Sequence, residues 1–226
     1  YLNWMFENLM AIKSVMNATA SIYIHLDWHI GHYVKILMDE VFGESNFKNE
    51  IVWHYYNKMQ GNVSRFASNH DVIFYYSKSE ACYFKAIKEL RDKPTKQIQR
   101  VWDKETQKLI NAKDSNSKVL YIESSEKSID DVWRLSMLQP ADKIEPVDYD
   151  TQKPETLLER IITASTKENM LVADFFGGSG TAAVVASKMG RQFLHCDVGI
   201  NSIQAARDRL VEAKATFEVL EIRDGV

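Results

Sequence analysis

The feature that most limits what this chain can fold into lies at residues 170–188. There MLVADF, a short apolar run ending in an acid and an aromatic, passes into FGGSGTAAVVASK. A buried strand, a tight turn and a helix of small residues follow one another without a spare residue. Glycine at 177, 178 and 180 lets the backbone turn sharply and lets a ligand come close to the main chain, while the helix start behind it presents unpaired N–H groups. The neighbouring pattern repeats the alternation. KPETLLERIITAS (153–165) has Pro154 at a first helical position and Leu157, Leu158, Ile161 and Ile162 along one face. After the predicted helix at 179–189 come RQFLHCD (191–197) as strand and a helix over 200–213 with Ile203, Ala206 and Leu210 inward. TFEVLEI (216–222) closes the series as a further expected strand. Strand and helix alternating with short links imply parallel strands joined by crossovers, so the expected fold class is α/β with a Rossmann-like layer.

The amino-terminal half is less regular. SIYIHLDWHIGHYVKILMDEVFG (21–43) begins as a β-rich alternation. It then places Ile30, Tyr33, Val34, Leu37, Met38 and Val41 at helical spacing, with Gly43 as the stop. EIVWHYY and HDVIFYYSK predict strands around Val52 and Ile73, separated by the polar stretch NKMQGNVSRFASN, long enough to be a functional loop. From about 85 to 131 the pattern dissolves into mixed charge and single aromatics. The expected organisation is therefore residues 1–84 as one half of a domain, 85–131 as an insertion, and 132–226 as the other half.

Composition excludes several classes. With 226 residues, 45% hydrophobic and 26% charged, the chain has the make-up of a globular domain rather than a disordered tail. Apolar stretches are broken by His, Asp, Lys or Glu well before the roughly 18 residues that a spanning helix needs, and no signal-peptide pattern opens the chain. A cytoplasmic protein without membrane association is the expectation. Cys82 and Cys196 stand far apart in apolar settings, which predicts buried thiols and neither a disulfide framework nor a metal site. The net charge of −3 exerts no global pull on nucleic acid, yet residues 85–127 carry eleven Lys/Arg against seven Asp/Glu.

Three ligand classes use a glycine turn between strand and helix. A triphosphate loop needs a lysine before the hydroxyl residue, and here Thr181 follows Gly180 directly. A dinucleotide fold needs G-x-G-x-x-G, which Gly177, Gly178 and Gly180 do not match. Asp174, at the strand end, would repel a pyrophosphate but suits a cationic amino group, while a carboxylate can lie at the following helix start. Asp197 ends the next strand, where an acid can accept hydrogen bonds from ribose hydroxyls. Amino acid plus ribose describes S-adenosylmethionine. The competing reading gives both acids purely structural work, as a helix cap and a strand end.

These residues carry a family resemblance. YDTQKPETLLERII and then VADFFGGSGTAAVVASKMGRQFLHCD resemble the cofactor-binding half of bacterial DNA amino-methyltransferases of the permuted β group, which modify adenine N6 or cytosine N4. IYIHLDWHIGHYVKILMDEVFGESNFKNEIVW resembles the middle region of that group. About three quarters of the chain is covered, and 85–131 is not. The resemblance implies that Asp174, Phe175, Phe176, Gly177, Gly178, Ser179, Gly180 and Thr181 surround the methionine end of S-adenosylmethionine. It makes Thr151, Gln152 and Lys153 a facing wall and Asp197 the ribose acceptor. The commonest motif has Pro where this chain has Phe175, but a Phe-Phe form also occurs in the family.

The family's second motif, Asp/Asn/Ser-Pro-Pro-Tyr/Phe, holds the target amine and stacks the flipped base. It is missing here: Pro94, Pro140, Pro146 and Pro154 are the only prolines, and none adjoins another. No catalytic residue is therefore assigned. Because residues 1–26 resemble the stretch that follows this motif, the expectation is that an amino-terminal segment lies outside the sequence. A degenerate, non-catalytic DNA-binding homologue is the alternative. His25 and Asp27, at a strand's carboxyl end, are read as sheet-end polar residues. For DNA, the stretch at 54–70 offers His54, Tyr55, Tyr56, Asn57, Lys58 and Arg65. The basic stretch with Lys93, Lys96, Arg100, Lys104 and Lys108 is the candidate recognition region. The resemblance implies double-stranded DNA as partner, favours adenine N6 over cytosine N4, and leaves a restriction-modification partner subunit and a homodimer open.

Overall fold

The computed structural model describes residues 1–58, 64, 66–139, 145 and 152–221. In chain order its elements are α1 (Leu2–Val15), β1 (Ser21–Leu26), α2 (Gly31–Phe42), β2 (Phe47–His54), β3 (His70–Ser77), β4 (Lys88–Ile98), β5 (Arg100–Asp103), β6 (Lys108–Asn111), β7 (Tyr121–Ser128), β8 (Val132–Arg134), α3 (Glu155–Ser165), β9 (Leu171–Asp174), α4 (Thr181–Lys188), β10 (Gln192–His195) and α5 (Ile200–Glu212). They form two compact units, Tyr1–Lys85 with Asp131–Val226, and Ala86–Asp130.

In the larger unit, one sheet has the order β1-β3-β2-β8. β3 runs antiparallel to β1 and β2, and β8 runs parallel to β2. Antiparallel pairing brings the start of β3 to the same sheet end as the carboxyl ends of β1 and β2, with His25 opposite Ile73 and Trp53 opposite Asp71. One face is covered by α2, which offers Val34, Met38, Val41 and Phe42 at the i, i+4, i+7, i+8 spacing of a single helix face. α1 adds Met5 and Leu9, and the three elements close over Phe74 and Tyr76. Burying each such large side chain stabilises by about 1.5–3 kcal/mol. Tyr76 of β3 is fully buried with its hydroxyl satisfied, donating to Asp39 Oδ1 at 2.6 Å, and Lys35 donates to the same carboxylate at 2.7 Å. Trp53, 1% exposed, donates its indole N–H to the Leu135 carbonyl at 3.0 Å. Tyr33 departs from expectation. Predicted on the core face of α2, it is 58% exposed, because α1 closes only over the Val34–Met38–Val41 stripe.

Parallel β9 and β10 pair from Leu171 opposite Gln192 to Asp174 opposite His195, the parallel α/β arrangement the alternation implied. α4 is buried from Thr181 to Ala186. Its small side chains let α3 approach through Ile162 on one side and α5 through Leu210 on the other. The strand expected at 216–222 does not form: residues 216–221 join no ladder, and 222 lies outside the described residues. Alternation supplies a strand only where an edge accepts its amides, and here Phe217 packs on Ala183, Val184 and Leu210 while Val219 and Leu220 stay exposed. Cys82 and Cys196 are free thiols, each part-exposed rather than buried.

The smaller unit consists of β-hairpins. β4 pairs with β7 with an irregularity between Leu90 and Thr95, where Pro94 removes a ladder donor. β5 pairs with β6, setting Val101 opposite Ile110 and Trp102 opposite Leu109. No helix among the described residues is long and apolar enough to cross a membrane.

Candidate functional site

The turn between β9 and α4 is built by backbone hydrogen bonds from β10. Cys196 N–H donates to the Asp174 carbonyl at 2.8 Å and Gly177 N–H donates to the Cys196 carbonyl at 3.0 Å, so the ladder runs on past the last paired residues. Gly180 N–H closes the turn on the Gly177 carbonyl at 2.9 Å. Two glycines are sterically required. Gly180 has φ +77°, and a Cβ there would lie 2.6 Å from the Ala206 Cβ of α5. A Cβ on Gly177 would lie 2.1 Å from Nδ1 of His195, whose ring fills that space.

Two carboxylates flank the turn with opposite electrostatics. Burial pushes the Asp174 carboxyl above the ordinary carboxylate value, and the charge of Asp197 adds to this against the Phe176 amide, which donates to Oδ1 at 3.1 Å. Burial also pushes Asp197 up. The amides of Gly199 at 2.7 Å and Gly178 at 2.9 Å, with the Ser202 hydroxyl, outweigh it and hold the group below that value. His195 stands beside both acids, yet burial holds its imidazole below the usual histidine range. Neither ring nitrogen has a hydrogen-bond partner among the described residues. Phe175 is part-buried; Phe176 is 53% exposed and meets Trp4 of α1 edge-on at 5.7 Å.

Behind the turn, Ser179 and Thr181 are buried, at 4% and 5% exposure, and Arg209 of α5 reaches both. The same guanidinium meets Glu145 at 3.4 Å and Glu155 at 3.3 Å. Glu145 in turn accepts from Gln152 Nε2 at 3.3 Å and from the Glu155 amide at 3.0 Å. Burial raises the Glu145 carboxyl above its ordinary value. Neither Arg209 nor Glu145 was singled out from the sequence; a lone arginine in a helix pattern and an acid in a loop carry no local signal. Thr151 lies outside the described residues. Lys153 is part-buried, and burial lowers its ammonium pKa while the charge of Asp71 works the other way.

Asp71 collects polar groups at the sheet end. His25 Nε2 lies 3.1 Å from its Oδ2, and the Tyr55 hydroxyl donates to Oδ1 at 3.4 Å. Burial raises Asp71, but His25, Lys153 and Tyr55 together leave it below the ordinary value. His25, read from the sequence as a sheet-end polar residue, is thus hydrogen-bonded to Asp71 across the sheet end. Asp27 sits on the surface and accepts the His29 amide at 3.0 Å.

The loop residues divide. Tyr55 is 4% exposed, with its ring in the core beside Trp53. The Asn57 side chain donates to the Met137 carbonyl at 2.7 Å and accepts from the Met137 amide at 2.8 Å, and His54 bonds Asn69 at 3.1 Å. Tyr56 is 61% exposed and Lys58 is also on the surface. Arg65 lies outside the described residues. Lys96 and Arg100 are exposed on β4 and β5 of the smaller unit, opposite Glu123 and Asn111. No cluster of three metal-ligating side chains occurs among the described residues.

The turn thus offers an acid for a cation at the strand end, backbone amides at a helix start for an anion, and a second acid with one acceptor site left for a hydroxyl. A DNA methylase family model of N6/N4 type matches residues 1–208. Among curated relatives, the type II methyltransferase M1.MboII of Moraxella bovis is 30% identical over 164 residues, which is 71% of this chain and 61% of that protein. M2.DpnII of Streptococcus pneumoniae is 46% identical over 84 residues, 37% of this chain and 31% of that protein. The chain therefore spans less than two thirds of either relative. The solved complex of M1.HpyAVI with SAM superposes with TM-score 0.60 at 21% identity, covering 91% of this chain and 81% of that one. The PvuII DNA methyltransferase, described as cytosine-N4-specific, superposes with TM-score 0.64 at 14% identity, covering 92% and 70%. At these identities the structures establish the shared methyltransferase fold.

Proposed function

The chain belongs to the N6/N4 DNA methylase family, and on that premise we propose that it forms the cofactor-binding body of a DNA amino-methyltransferase of restriction-modification type, acting on adenine N6. The observation that carries this reading is the turn itself, where Asp197 Oδ2 accepts the Gly178 amide at 2.9 Å and so holds the second acid directly against the glycines. S-adenosylmethionine fits the residues present. Asp174 meets the ammonium, the amides at the start of α4 meet the carboxylate, and Asp197, which already takes the Gly178 and Gly199 amides and the Ser202 hydroxyl, keeps one acceptor site for a ribose hydroxyl. Gln152 and Lys153 form the opposite wall.

Bound there, the cofactor supplies an electrophilic methyl on a sulfonium. This chain's part is to fix that methyl in place and to exclude water from it, work worth several orders of magnitude when geometry is held. The Pro-Pro-Tyr/Phe clamp for the flipped base comes, in this reading, from outside the 226 residues, in the permuted order. Double-stranded DNA is the substrate. Tyr56, Lys58 and Arg65 serve the duplex at the loop, because Tyr55, His54 and Asn57 spend their polar groups on the fold. Residues 86–130 supply target recognition, with Lys96 and Arg100 positioning the duplex through phosphate contacts. A partner subunit of the restriction-modification system or a second copy of the chain completes the assembly.

Incubating the full-length protein with DNA and methyl-labelled S-adenosylmethionine, then digesting the DNA to nucleosides, tests this directly. Label in N6-methyladenine is the expected result. Label in N4-methylcytosine would shift the reading to the cytosine enzymes, and cofactor binding without any transfer would favour a regulatory homologue.

A further inference from the structure

In the S-adenosylmethionine reading, the cofactor-facing residues fall on two stretches far apart in sequence, the turn at 174–181 and a wall that includes Gln152 and Lys153. What joins them is buried behind them. Arg209, with a side chain 11% exposed, directs one guanidinium nitrogen to the turn, donating to Thr181 Oγ1 at 2.8 Å, Ser179 Oγ at 3.2 Å and the Ser179 carbonyl at 3.3 Å. The other nitrogen donates to Glu145 Oε1 at 3.4 Å and Glu155 Oε1 at 3.3 Å. Glu145 then accepts from the Gln152 side chain at 3.3 Å and from the first amide of α3 at 3.0 Å. Lys188 of α4 binds the far oxygen of Glu155 at 2.6 Å. A planar fork with several fixed donors can brace two walls at once, which a lysine ammonium cannot reproduce.

We propose that Arg209 is the positioning residue of the cofactor site, holding the Ser179–Thr181 turn and, through Glu145, Gln152 of the facing wall in one fixed spacing. It touches no cofactor and acts only through these partners. The proposal rests on the S-adenosylmethionine reading above. Ser179 and Thr181 occupy the bend from turn into α4, so freeing their hydroxyls lets the amides that face the ligand turn away. Freeing Glu145 lets Gln152 retreat independently. With the fork present, both sides give the same loss when it is cut on either side.

The test uses the full-length protein, calorimetric titration with S-adenosylmethionine and S-adenosylhomocysteine, and thermal melting without ligand. Arg209→Met takes the guanidinium from part-buried Glu145, while Glu155 keeps Lys188, and can fail to fold, so the decisive variants are Arg209→Lys and Glu145→Gln, singly and together. Losing charge-assisted hydrogen bonds on one side should weaken each ligand about tenfold in Arg209→Lys. Glu145→Gln should weaken binding by itself and add nothing in the Arg209→Lys background, and the KM for S-adenosylmethionine should rise while the KM for DNA holds. The inference is overturned if Arg209→Lys lowers the melting temperature but binds both ligands as wild type does, or if the two single losses multiply in the double variant. Absence of any ligand binding by wild-type protein would instead overturn the cofactor reading, and this inference with it.

Discussion

The turn at 174–181 and the hairpin unit at 86–130 solve their geometry by opposite means. At Gly180 the chain adopts φ +77° with the Ala206 Cβ of α5 packed where a side chain would begin. In the hairpin unit no residue is glycine, and the left-handed positions are taken by Gln107 at φ 51° and Ser117 at φ 63°. The turn is pressed from behind by helices and has no room to relax. The hairpins leave Trp102 and Leu109 60% and 59% exposed, and on them a strained residue meets little resistance. Tight packing therefore marks where backbone position is fixed from outside, and its absence marks where a left-handed residue with a Cβ is tolerated.

The largest break in this contrast comes from Gly180→Ala. The left-handed conformation costs a residue with a Cβ about 1–2 kcal/mol, and forcing an atom into a packed helix contact adds about 1–3 kcal/mol. A combined loss of about 3 kcal/mol should appear in chemical denaturation of the larger unit, with cofactor affinity reduced as well. A loss below about 1 kcal/mol would mean that α5 gives way easily and that the turn is not braced from behind.

That bracing explains what was legible in the sequence and what was not. β9, α4, β10 and α5 could be read because each writes its own period, and because three glycines within four positions mark the turn locally, although the contacts that demand them come from Ala206 and His195. Asp174 and Asp197 were legible as strand-end acids for the same reason. Arg209 and Glu145 were not, since their meaning lies in a network joining α5, α3 and the turn, which no local spacing records. α1 went unread because only Met5 and Leu9 of its fourteen residues are buried, too few to stand out as a face. Residues 216–221 show the converse failure: their alternation is real, but pairing is a property of the edge that receives it. Among 86–130, strands such as β6 are exposed at all four positions, so no inward face exists to impose a period of two.

A second break concerns charge within the turn. Asp174 titrates above an ordinary carboxyl, so its favourable contribution is complete below about pH 3.9, the unfolded value, and is lost as pH rises through its raised folded value. Ionised at neutral pH, it costs stability. Asp197 titrates below, so its contribution is present above about pH 3.9 and lost as pH falls through its lowered folded value. At pH 7, Asp174→Asn should raise the melting temperature and Asp197→Asn should lower it, while both weaken S-adenosylmethionine binding. Scanning calorimetry at pH 7 and again at the lowest pH where the protein stays folded should show both differences shrinking in acid. Shifts of the same sign at neutral pH would refute the assignment of opposed roles, and a stabilised Asp174→Asn that still binds cofactor would remove the reason for keeping a costly acid there.

The smallest effect is expected in the hairpins and has the reverse sign. Gln107 follows the Asp103 turn, whose carboxylate accepts the Glu105 and Thr106 amides at 3.1 and 3.4 Å. Ser117 closes the turn that Asp114 organises through the Asn116 and Lys118 amides, each at 2.9 Å. Both turns are thus held by an aspartate and not by the residue in the left-handed position. Replacing Gln107 or Ser117 with glycine removes the Cβ strain, worth about 1–2 kcal/mol, while the freer unfolded chain takes back about 0.4–1 kcal/mol. The net gain should be about 0–1.6 kcal/mol per site, read as slower amide exchange across the β5–β6 pairing and the Lys113–Val119 bridge. Cofactor affinity should not move, because no element of the turn after β9 depends on these residues. If Gln107→Gly instead loosened its hairpin, the glutamine side chain would be holding that turn itself, and the division between braced and unbraced backbone would fail at the place where it is weakest.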